Sequence, residues 1–292
     1  MSDPAPLEFT GERFTPECVR EMAYEHWHRY AWAAELVAGK DVLDAACGEG
    51  YGSHLLAARA RSVTGLDVGE DAVAHARERY RRDNLSFDRG DATRLPYADK
   101  HFDVVVSFET LEHLEAQETL LAEFRRVLRP EGFLVISSPD RKTYSDETGY
   151  DNPFHVRELY RDELESLISN EFPAFRLYGQ KLMFVSALWR LAGGEGGGQV
   201  LTDDQGTVRA SAAPELPPLY FIAVAAAETS LLPAVPGLSL YGDREQSVYR
   251  HYNEEVAAHI RAGHLLAERD AEIERLRARL DAPWWRRLFG DS

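Results

Sequence analysis

The chain between residues 40 and 140 alternates between two hydrophobic periods. Short runs of consecutive apolar residues, typical of strands buried on both faces, are followed by segments whose apolar residues recur every three or four positions, as in helices. The predicted strands are Asp41–Cys47, Ser62–Val68, Leu85–Asp91, His101–Glu109 and Gly132–Pro139. The predicted helices are Tyr51–Ala60, Gly69–Arg82 and Gln117–Pro130, the last stopped by its proline. This alternation predicts βαβ units and a parallel sheet.

Beyond residue 140 the pattern weakens. A charged loop is followed by a predicted helix, Glu158–Ile168, and by two strand-like runs, Phe175–Trp189 and Leu219–Ala227. Between these runs, about residues 192–217 are rich in Gly, Ser, Pro and acids, which predicts a flexible insertion. The predicted organisation is an N-terminal helical cap (1–39), a sheet domain (40–230) and a helical tail (244–292). In the tail Leu266, Ile273 and Leu280 lie seven residues apart with Leu276 between them, a pattern typical of a short coiled-coil seam.

Composition excludes several classes of protein. A formal net charge of -16 over 292 residues argues against a nucleic-acid partner, since phosphates require clustered Lys and Arg. The two cysteines, Cys18 and Cys47, form no CxxC pair, which excludes a disulfide framework or a cysteine-rich zinc site and fits a reducing compartment. The first residues do not have the pattern of a signal peptide, and the longest apolar run, Leu219–Ala227, is too short for a membrane span. We expect a cytoplasmic protein.

A glycine loop at the end of the first strand points to a bound ligand. The stretch VLDAACGEGYGS, Val42–Ser53, lies where open α/β sheets bind their ligands, at the carboxyl ends of the strands. Asp67 ends the second strand and can accept the hydroxyls of a ribose, whether in a dinucleotide or in another adenosine compound. Ser53 stands where a dinucleotide loop requires its third glycine or an alanine, and Asp44 would be awkward beside a pyrophosphate but useful beside a cation. The charges therefore favour S-adenosylmethionine over NAD.

Five motifs in order resemble those of class I S-adenosylmethionine-dependent methyltransferases: VLDAACGEGYGS, VTGLDV, GDATRLPY, FDVVVSFETLEHL and VLRPEGFLVISSP. The resemblance implies a Rossmann-like α/β fold, a seven-stranded sheet with helices on both faces and an antiparallel last strand. The predicted helical tail follows this α/β domain in the chain. It also implies that the glycine loop faces the methionine part of the cofactor, Asp67 the ribose, Asp91 the adenine and Glu109 the sulfonium. The cofactor-binding residues expected from it are Asp44, Ala46, Gly48, Gly50, Asp67, Val68, Asp91, Ala92, Phe108 and Glu109. From the residues alone, Asp91 could equally cap a helix, and Cys47 is expected to pack in the loop rather than act as a nucleophile.

The segments flanking the motifs suggest the acceptor. GERFTPECVREMAYEHWHRYAWAAELV and DNPFHVRELYRDELESLI resemble the flanks of bacterial methyltransferases from polysaccharide and glycan biosynthesis. This resemblance implies O-methylation of a sugar or glycan. The alternatives are N- or O-methylation of a small secondary metabolite or of a lipid or quinone precursor, and a non-catalytic cofactor-binding assembly module. The tail is a candidate for dimerisation, for docking on a glycosyltransferase or, through residues 284–287 (Trp-Trp-Arg-Arg), for membrane contact; a helix packed on its own domain is the alternative.

A sugar hydroxyl is a poor nucleophile, so we expect a general base. The candidates are His155 and His113, with structural alternatives as a loop staple and a helix anchor respectively, and Tyr144 and Tyr150 are candidate acceptor contacts. No catechol-type metal triad is apparent, and no metal is expected. In the N-terminal helix Tyr24 and His28 share a face that can look onto the cofactor. Arg29, or Arg13, is a candidate partner of the methionine carboxylate, with a surface salt bridge as the alternative for Arg29.

Overall fold

The computed structural model describes residues 15–16, 21–188, 199–204 and 207–281. They divide into one unit that ends at Tyr241 and a second that begins at Gly242. The strands are β1 Asp41–Ala45, β2 Ser62–Asp67, β3 Leu85–Arg89, β4 Phe102–Ser107, β5 Leu128–Pro139, β6 Ala174–Gln180, β7 Val200–Asp204, β8 Thr207–Ser211 and β9 Tyr220–Ala226. The helices are α1 Glu21–Leu36, α2 Tyr51–Leu56, α3 Glu70–Arg79, α4 Gln117–Val127, α5 Arg161–Glu171 and α6 Ser247–Asp281.

Seven strands form one sheet in the order β3-β2-β1-β4-β5-β9-β6. The pairs β1–β2, β2–β3, β1–β4 and β4–β5 are parallel, and β9 is antiparallel to both of its neighbours. The predicted parallel sheet with an antiparallel last strand is thus confirmed. The strand order reverses between β1 and β4, so a crevice for a ligand is expected where these two strands end.

Both faces of the sheet are covered. Along β4, Val105 packs into the core beneath α4 and α5, whereas Val104 and Val106 pack into the core beneath α1 and α2. Successive side chains of a strand point to opposite faces, so burial of both faces requires the continuous apolar run seen in the sequence. The N-terminal helix α1 is therefore an integral part of one core.

Several element ends differ from the predictions. Helix α4 ends at Val127, and Pro130 lies in β5, where the pairing with β4 shifts register between Phe102 and Val104. A proline is tolerated at such an irregularity because one ladder bond is already missing. Helix α5 begins at Arg161 rather than Glu158, since the Glu163 side chain accepts the Tyr160 backbone N–H at 2.9 Å and caps the helix there.

The segment between β6 and β9 also departs from expectation. The strand predicted over residues 175–189 ends at Gln180. Within the predicted flexible insertion, β7 and β8 pair antiparallel. The flexibility of the insertion stays a prediction. Residues 189–198 of this region lie outside the described residues.

The second unit contains α6, a helix of 35 residues. The seam residues Leu266, Ile273, Leu276 and Leu280 are exposed on it. Residues 284–287, the predicted membrane contact, lie outside the described residues, as does Arg13 at the other end of the chain. No described helix is both long enough and apolar enough to cross a membrane.

Candidate active site

The glycine loop after β1 is shaped by backbone conformation and by internal packing. Ala46, Gly48 and Gly50 have φ values of 60°, 58° and 94°, a region that favours glycine. A Cβ on Gly50 would lie 2.8 Å from Ala76 Cβ, and one on Gly52 would lie 2.1 Å from Tyr30 Cζ. The sequence interpretation assigned these glycines to a close ligand. At Gly50 and Gly52 the close neighbours are the protein's own side chains, from α3 and β3 in the first case and from α1 in the second.

Asp67 fastens this loop to the end of β2. Its Oδ2 accepts the Gly48 N–H at 2.9 Å and its Oδ1 accepts the Gly69 N–H at 2.8 Å. A carboxylate has about four acceptor positions, so each oxygen keeps capacity for a ligand hydroxyl. The side chain is buried under the loop, where the sequence predicted a ribose partner.

Asp44 is fully buried at the end of β1. Its Oδ1 accepts a hydrogen bond from the Tyr30 hydroxyl at 3.1 Å, and its Oδ2 accepts one from the Ser53 hydroxyl at 2.6 Å. Burial raises the pKa of Asp44 to about 7, although both hydroxyls oppose the shift. Ser53, which in the sequence only argued against a dinucleotide, thus positions the acid. A cation brought nearby would favour the ionised form.

The end of β4 faces the same crevice. The Phe108 ring is buried and packs edge-on against Tyr30, with 5.0 Å between ring centroids. Glu109 follows with a φ of 50°, and its Oε1 accepts the Ser137 hydroxyl at 2.6 Å. A non-glycine residue in this conformation is uncommon and is typical of a functional turn.

Arg29 is the most unusual residue of the crevice. Its side chain is fully buried, and Nη1 lies 3.2 Å from both Glu109 Oε1 and Gln180 Oε1. The guanidinium carbon lies 4.7 Å above the centre of the Tyr220 ring. Among the described residues, its Nε and Nη2 have no hydrogen-bond partner. The alternative of a surface salt bridge is wrong, and a buried guanidinium with two unsatisfied nitrogen donors is suited to binding an anion.

Glu25 lies one helical turn before Arg29 and is also buried. Burial raises its pKa to about 7, with Glu109 adding to the shift and Arg29 opposing it. Near neutral pH the crevice therefore combines one permanent cation, the Glu109 carboxylate and two acids, Glu25 and Asp44, that are close to their titration points.

Two predicted contacts from α1 have partners elsewhere. Tyr24 packs edge-on against Tyr241 at 5.7 Å, and His28 donates to or accepts from the Ser239 hydroxyl at 3.0 Å. The structure thus places these side chains against residues 239–241. Their contact with a cofactor remains a prediction.

At the end of β3, Asp91 forms a turn rather than a helix cap. Its Oδ1 accepts the backbone N–H and the hydroxyl of Thr93 at 2.8 and 2.7 Å. The helix-cap alternative is therefore wrong. Ala92 beside it is half-buried, and Val68 at the end of β2 is 70% exposed, so both border open space.

The two histidines predicted as bases lie together. The centres of the His113 and His155 rings are 5.1 Å apart, and Tyr144 stacks on His155 at 5.2 Å. His113 Nδ1 lies 3.0 Å from the Phe154 carbonyl, so His113 holds the loop around residue 154. Tyr144 also contacts Tyr220, the ring beneath Arg29, at 5.9 Å. A chain of aromatic contacts thus joins the histidine pair to the Arg29 crevice.

Several residues of the site were not predicted from the sequence. Tyr30 and Gln180 reach it from distant elements, and Glu158, which lies 2.5 Å from His155 Nδ1, follows that histidine by three residues. Only the last spacing is visible in the sequence, as HVRE. Cys47 is buried and burial raises the pKa of its thiol, in agreement with a packing role.

The comparisons with known proteins agree with this geometry. Residues 43–136 match the family model described as a methyltransferase domain. A structure from Thermotoga maritima, described as an S-adenosylmethionine-dependent methyltransferase and possible histamine N-methyltransferase, superposes with a TM-score of 0.51 at 17% identity, covering 70% of this chain and 90% of that one. The fold is that of a class I methyltransferase. The matched segment begins within β1, so α1 lies outside it.

Curated relatives match part of the chain. A probable S-adenosylmethionine-dependent methyltransferase of Mycolicibacterium smegmatis is 45% identical over 170 residues, which are 56% of this chain and 65% of that protein. A fatty-acid O-methyltransferase of the same species is 39% identical over 111 residues, 37% of this chain and 40% of that protein. The chain therefore spans less than two thirds of the length of these relatives.

Proposed function

We propose that the protein is an S-adenosylmethionine-dependent methyltransferase. The observation that carries the proposal is the buried Arg29, which has two unsatisfied nitrogen donors and contacts the Glu109 carboxylate at the end of β4 through Nη1. A fixed cation and a fixed anion side by side complement the carboxylate and the ammonium of an amino acid. The methionine part of the cofactor is such a zwitterion.

The other crevice residues fit the remaining parts of the cofactor. Asp67 offers acceptors to the ribose hydroxyls, and Asp91 offers a carboxylate to the adenine amine. Phe108 and Tyr30 present aromatic rings at the end of β4, where they can stabilise a sulfonium by cation–π attraction. The Asp44 carboxyl beside the glycine loop is unfavourable for a pyrophosphate, which supports this cofactor over NAD.

Bound S-adenosylmethionine supplies an electrophilic methyl group. Transfer of that group to an acceptor hydroxyl would leave S-adenosylhomocysteine and would require the hydroxyl proton to be removed. Holding the reactants in line provides much of the rate, and the crevice residues do this by fixing the cofactor's two ends. A base contributes roughly 10²–10⁴-fold more.

The proposed acceptor is a hydroxyl of a sugar or glycan. The flanking sequences support it, and so does the wall of half-buried aromatic and imidazole groups formed by Tyr144, His155 and His113, since sugars stack on such surfaces. Tyr150, exposed beside Tyr144, extends this wall.

A second candidate acceptor is the carboxyl or hydroxyl group of a lipid. It is favoured by the fatty-acid O-methyltransferase, which is similar over the methyltransferase core. Rates with a panel of methyl-free sugars, lipid-linked glycans and long-chain fatty acids, measured as release of S-adenosylhomocysteine, separate the two. Turnover of fatty acids alone would replace the glycan proposal.

The cofactor is tested by calorimetry with S-adenosylhomocysteine, with NAD and with 5′-methylthioadenosine, which lacks the amino-acid part. We expect micromolar binding of S-adenosylhomocysteine, none of NAD, and a loss of at least tenfold in Asp67→Asn. Asp71→Asn, an exposed acid in the first turn of α3, is the matched control and should bind normally. A folded wild-type protein that binds none of these compounds would refute the proposal.

Arg29→Met separates the two ends of the cofactor. If Arg29 binds the carboxylate, this change weakens S-adenosylhomocysteine but leaves 5′-methylthioadenosine unaffected. Equal weakening of both compounds would mean that Arg29 only supports the fold of the crevice.

A further inference from the structure

A short 3₁₀ turn, Leu111–His113, and the loop around residues 152–158 are tied together by backbone hydrogen bonds. The Glu112 carbonyl accepts the N–H groups of Val156 and Arg157 at 2.7 and 3.0 Å. This junction brings His113 and His155 together although they are far apart in the chain. The closeness of these two histidines could therefore not be predicted from the sequence.

One ring nitrogen of His113, one of His155 and one carboxylate oxygen of Glu112 lie within 4.8 Å of one another. His113 Nε2 is 4.0 Å from Glu112 Oε1. Tetrahedral zinc with bonds of about 2.0–2.2 Å holds its ligand atoms roughly 3.3–3.6 Å apart, so this pair lies about half an ångström from the required spacing. The third ligand atom lies within 4.8 Å of the other two and must move by up to about 1.5 Å to bind the same ion.

The protons on both histidines are positioned as in metal sites. His113 Nδ1 faces the Phe154 carbonyl at 3.0 Å, and a carbonyl can only accept, so Nδ1 carries the hydrogen. His155 Nδ1 lies 2.5 Å from Glu158 Oε1, and Glu158 Oε2 accepts the Ser145 hydroxyl at 2.6 Å. In both rings this places the lone pair on Nε2, and in His155 that atom accepts a hydrogen bond from Asn152 Nδ2 at 3.0 Å. Histidines that bind metals almost always donate the other ring N–H to a carbonyl or carboxylate in this way.

We propose that Glu112, His113 and His155 bind one divalent transition-metal ion, with Glu158 and the Phe154 carbonyl orienting the two imidazoles. Two imidazoles and one carboxylate are a donor set suited to Zn²⁺ and neighbouring metals, and they leave coordination positions open. The expectation from the sequence that no metal is bound is replaced by this proposal.

The site also has an internal competitor. Asn152 Oδ1 accepts the Phe154 N–H at 3.1 Å, which fixes its amide so that Nδ2 points to His155 Nε2 at 3.0 Å. That hydrogen bond uses the lone pair that a metal, or a proton taken from an acceptor, would need. It weakens the prediction of His155 as a free general base, and metal binding must displace it.

A catalytic use of the ion depends on the proposed function, whereas the binding of the ion does not. Through Tyr144 and Tyr220 the cluster adjoins the Arg29 crevice, on the side proposed for the acceptor. An acceptor hydroxyl bound to the ion would have a lowered pKa and would lose its proton more readily to solvent. The general base would then be unnecessary.

In the test, metal-free protein is titrated with Co²⁺ and monitored by visible absorption, and it is titrated with Zn²⁺ and monitored by calorimetry. We expect one ion per chain, a loss of at least about 100-fold in affinity for Glu112→Gln and for the half-exposed His113→Ala, and a loss of about 10–100-fold for Glu158→Gln. Glu115→Gln, an exposed acid two residues beyond His113, is the matched control and should bind normally.

Asn152→Asp gives a readout that a purely structural role would not produce. It keeps the acceptor for the Phe154 N–H but removes the competing donor, so affinity should rise several-fold. No binding of either metal, or binding equal in wild type, Glu112→Gln and His113→Ala, overturns the proposal. Circular dichroism confirms that each variant is folded, and because no methyl transfer is measured, failure here is separate from failure of the proposed function.

Discussion

Asp44 is predicted to make the stability of the fold depend on pH. In the folded protein burial raises its pKa to about 7, against an ordinary value of 3.8. Between these two pKa values, Asp44 is therefore protonated in the folded state and ionised in the unfolded chain. This favours folding at a pH below about 4, and the advantage is lost as the pH rises through about 7.

The magnitude follows from the size of the shift. Linkage of one group with these two pKa values costs the fold about 4 kcal/mol at pH 8 and about 2 kcal/mol at pH 5. Asp44→Asn removes the ionisation. Its amide can still exchange hydrogen bonds with the Tyr30 and Ser53 hydroxyls, since each hydroxyl can donate or accept. We expect the variant to be more stable than wild type by about 2–4 kcal/mol at pH 8 and by less at pH 5.

The assay is urea unfolding followed by near-ultraviolet circular dichroism, which reports fixed aromatic packing, at several values between pH 5 and pH 8. Glu25 titrates in the same window, but its contribution is common to both proteins and cancels in the difference. Parallel stability curves for wild type and Asp44→Asn would show that Asp44 is ionised throughout and would refute the reasoning.

Two other predictions concern packing at the loop. Gly52→Ala should destabilise the fold by about 1–3 kcal/mol in urea unfolding, because its Cβ would lie 2.1 Å from the Tyr30 ring; an equal loss in a Tyr30→Ala background would contradict that cause. In a Cys18→Ser variant, Cys47 should react with a thiol reagent at least tenfold more slowly in the native protein than in urea, since it is buried and its thiol pKa is raised; equal rates would place it in an open site.

The sheet could be predicted because its strands are buried on both faces and its helices on one. Both hydrophobic periods can be recognised in the sequence. Asp44 and Asp67 could then be placed at the ends of β1 and β2. The fold and the match of residues 43–136 to a methyltransferase domain confirm the resemblance at this level.

The remaining parts of the site depend on contacts between distant residues. The sequence indicated Arg29 as a candidate but left a surface salt bridge open, because its burial depends on Gln180 and Tyr220, which are distant in sequence. The histidine cluster depends on the backbone bonds of Glu112 to the loop at Val156. Such contacts follow from tertiary packing, which local periodicity does not encode. For the same reason the register shift that admits Pro130 into β5 was not foreseen.

Helix α1 contributes Arg29 to the crevice and Tyr30 to the glycine loop, yet it precedes the segment shared with the methyltransferase domain. Exchange of α1 would therefore change both the crevice and the packing of one face of the sheet, because Tyr30, Ala33 and Ala34 lie in the same core as the valines of β1 and β4. In a chimera of two related chains, we would expect the donor of α1 to set the affinity for the amino-acid end of the proposed cofactor.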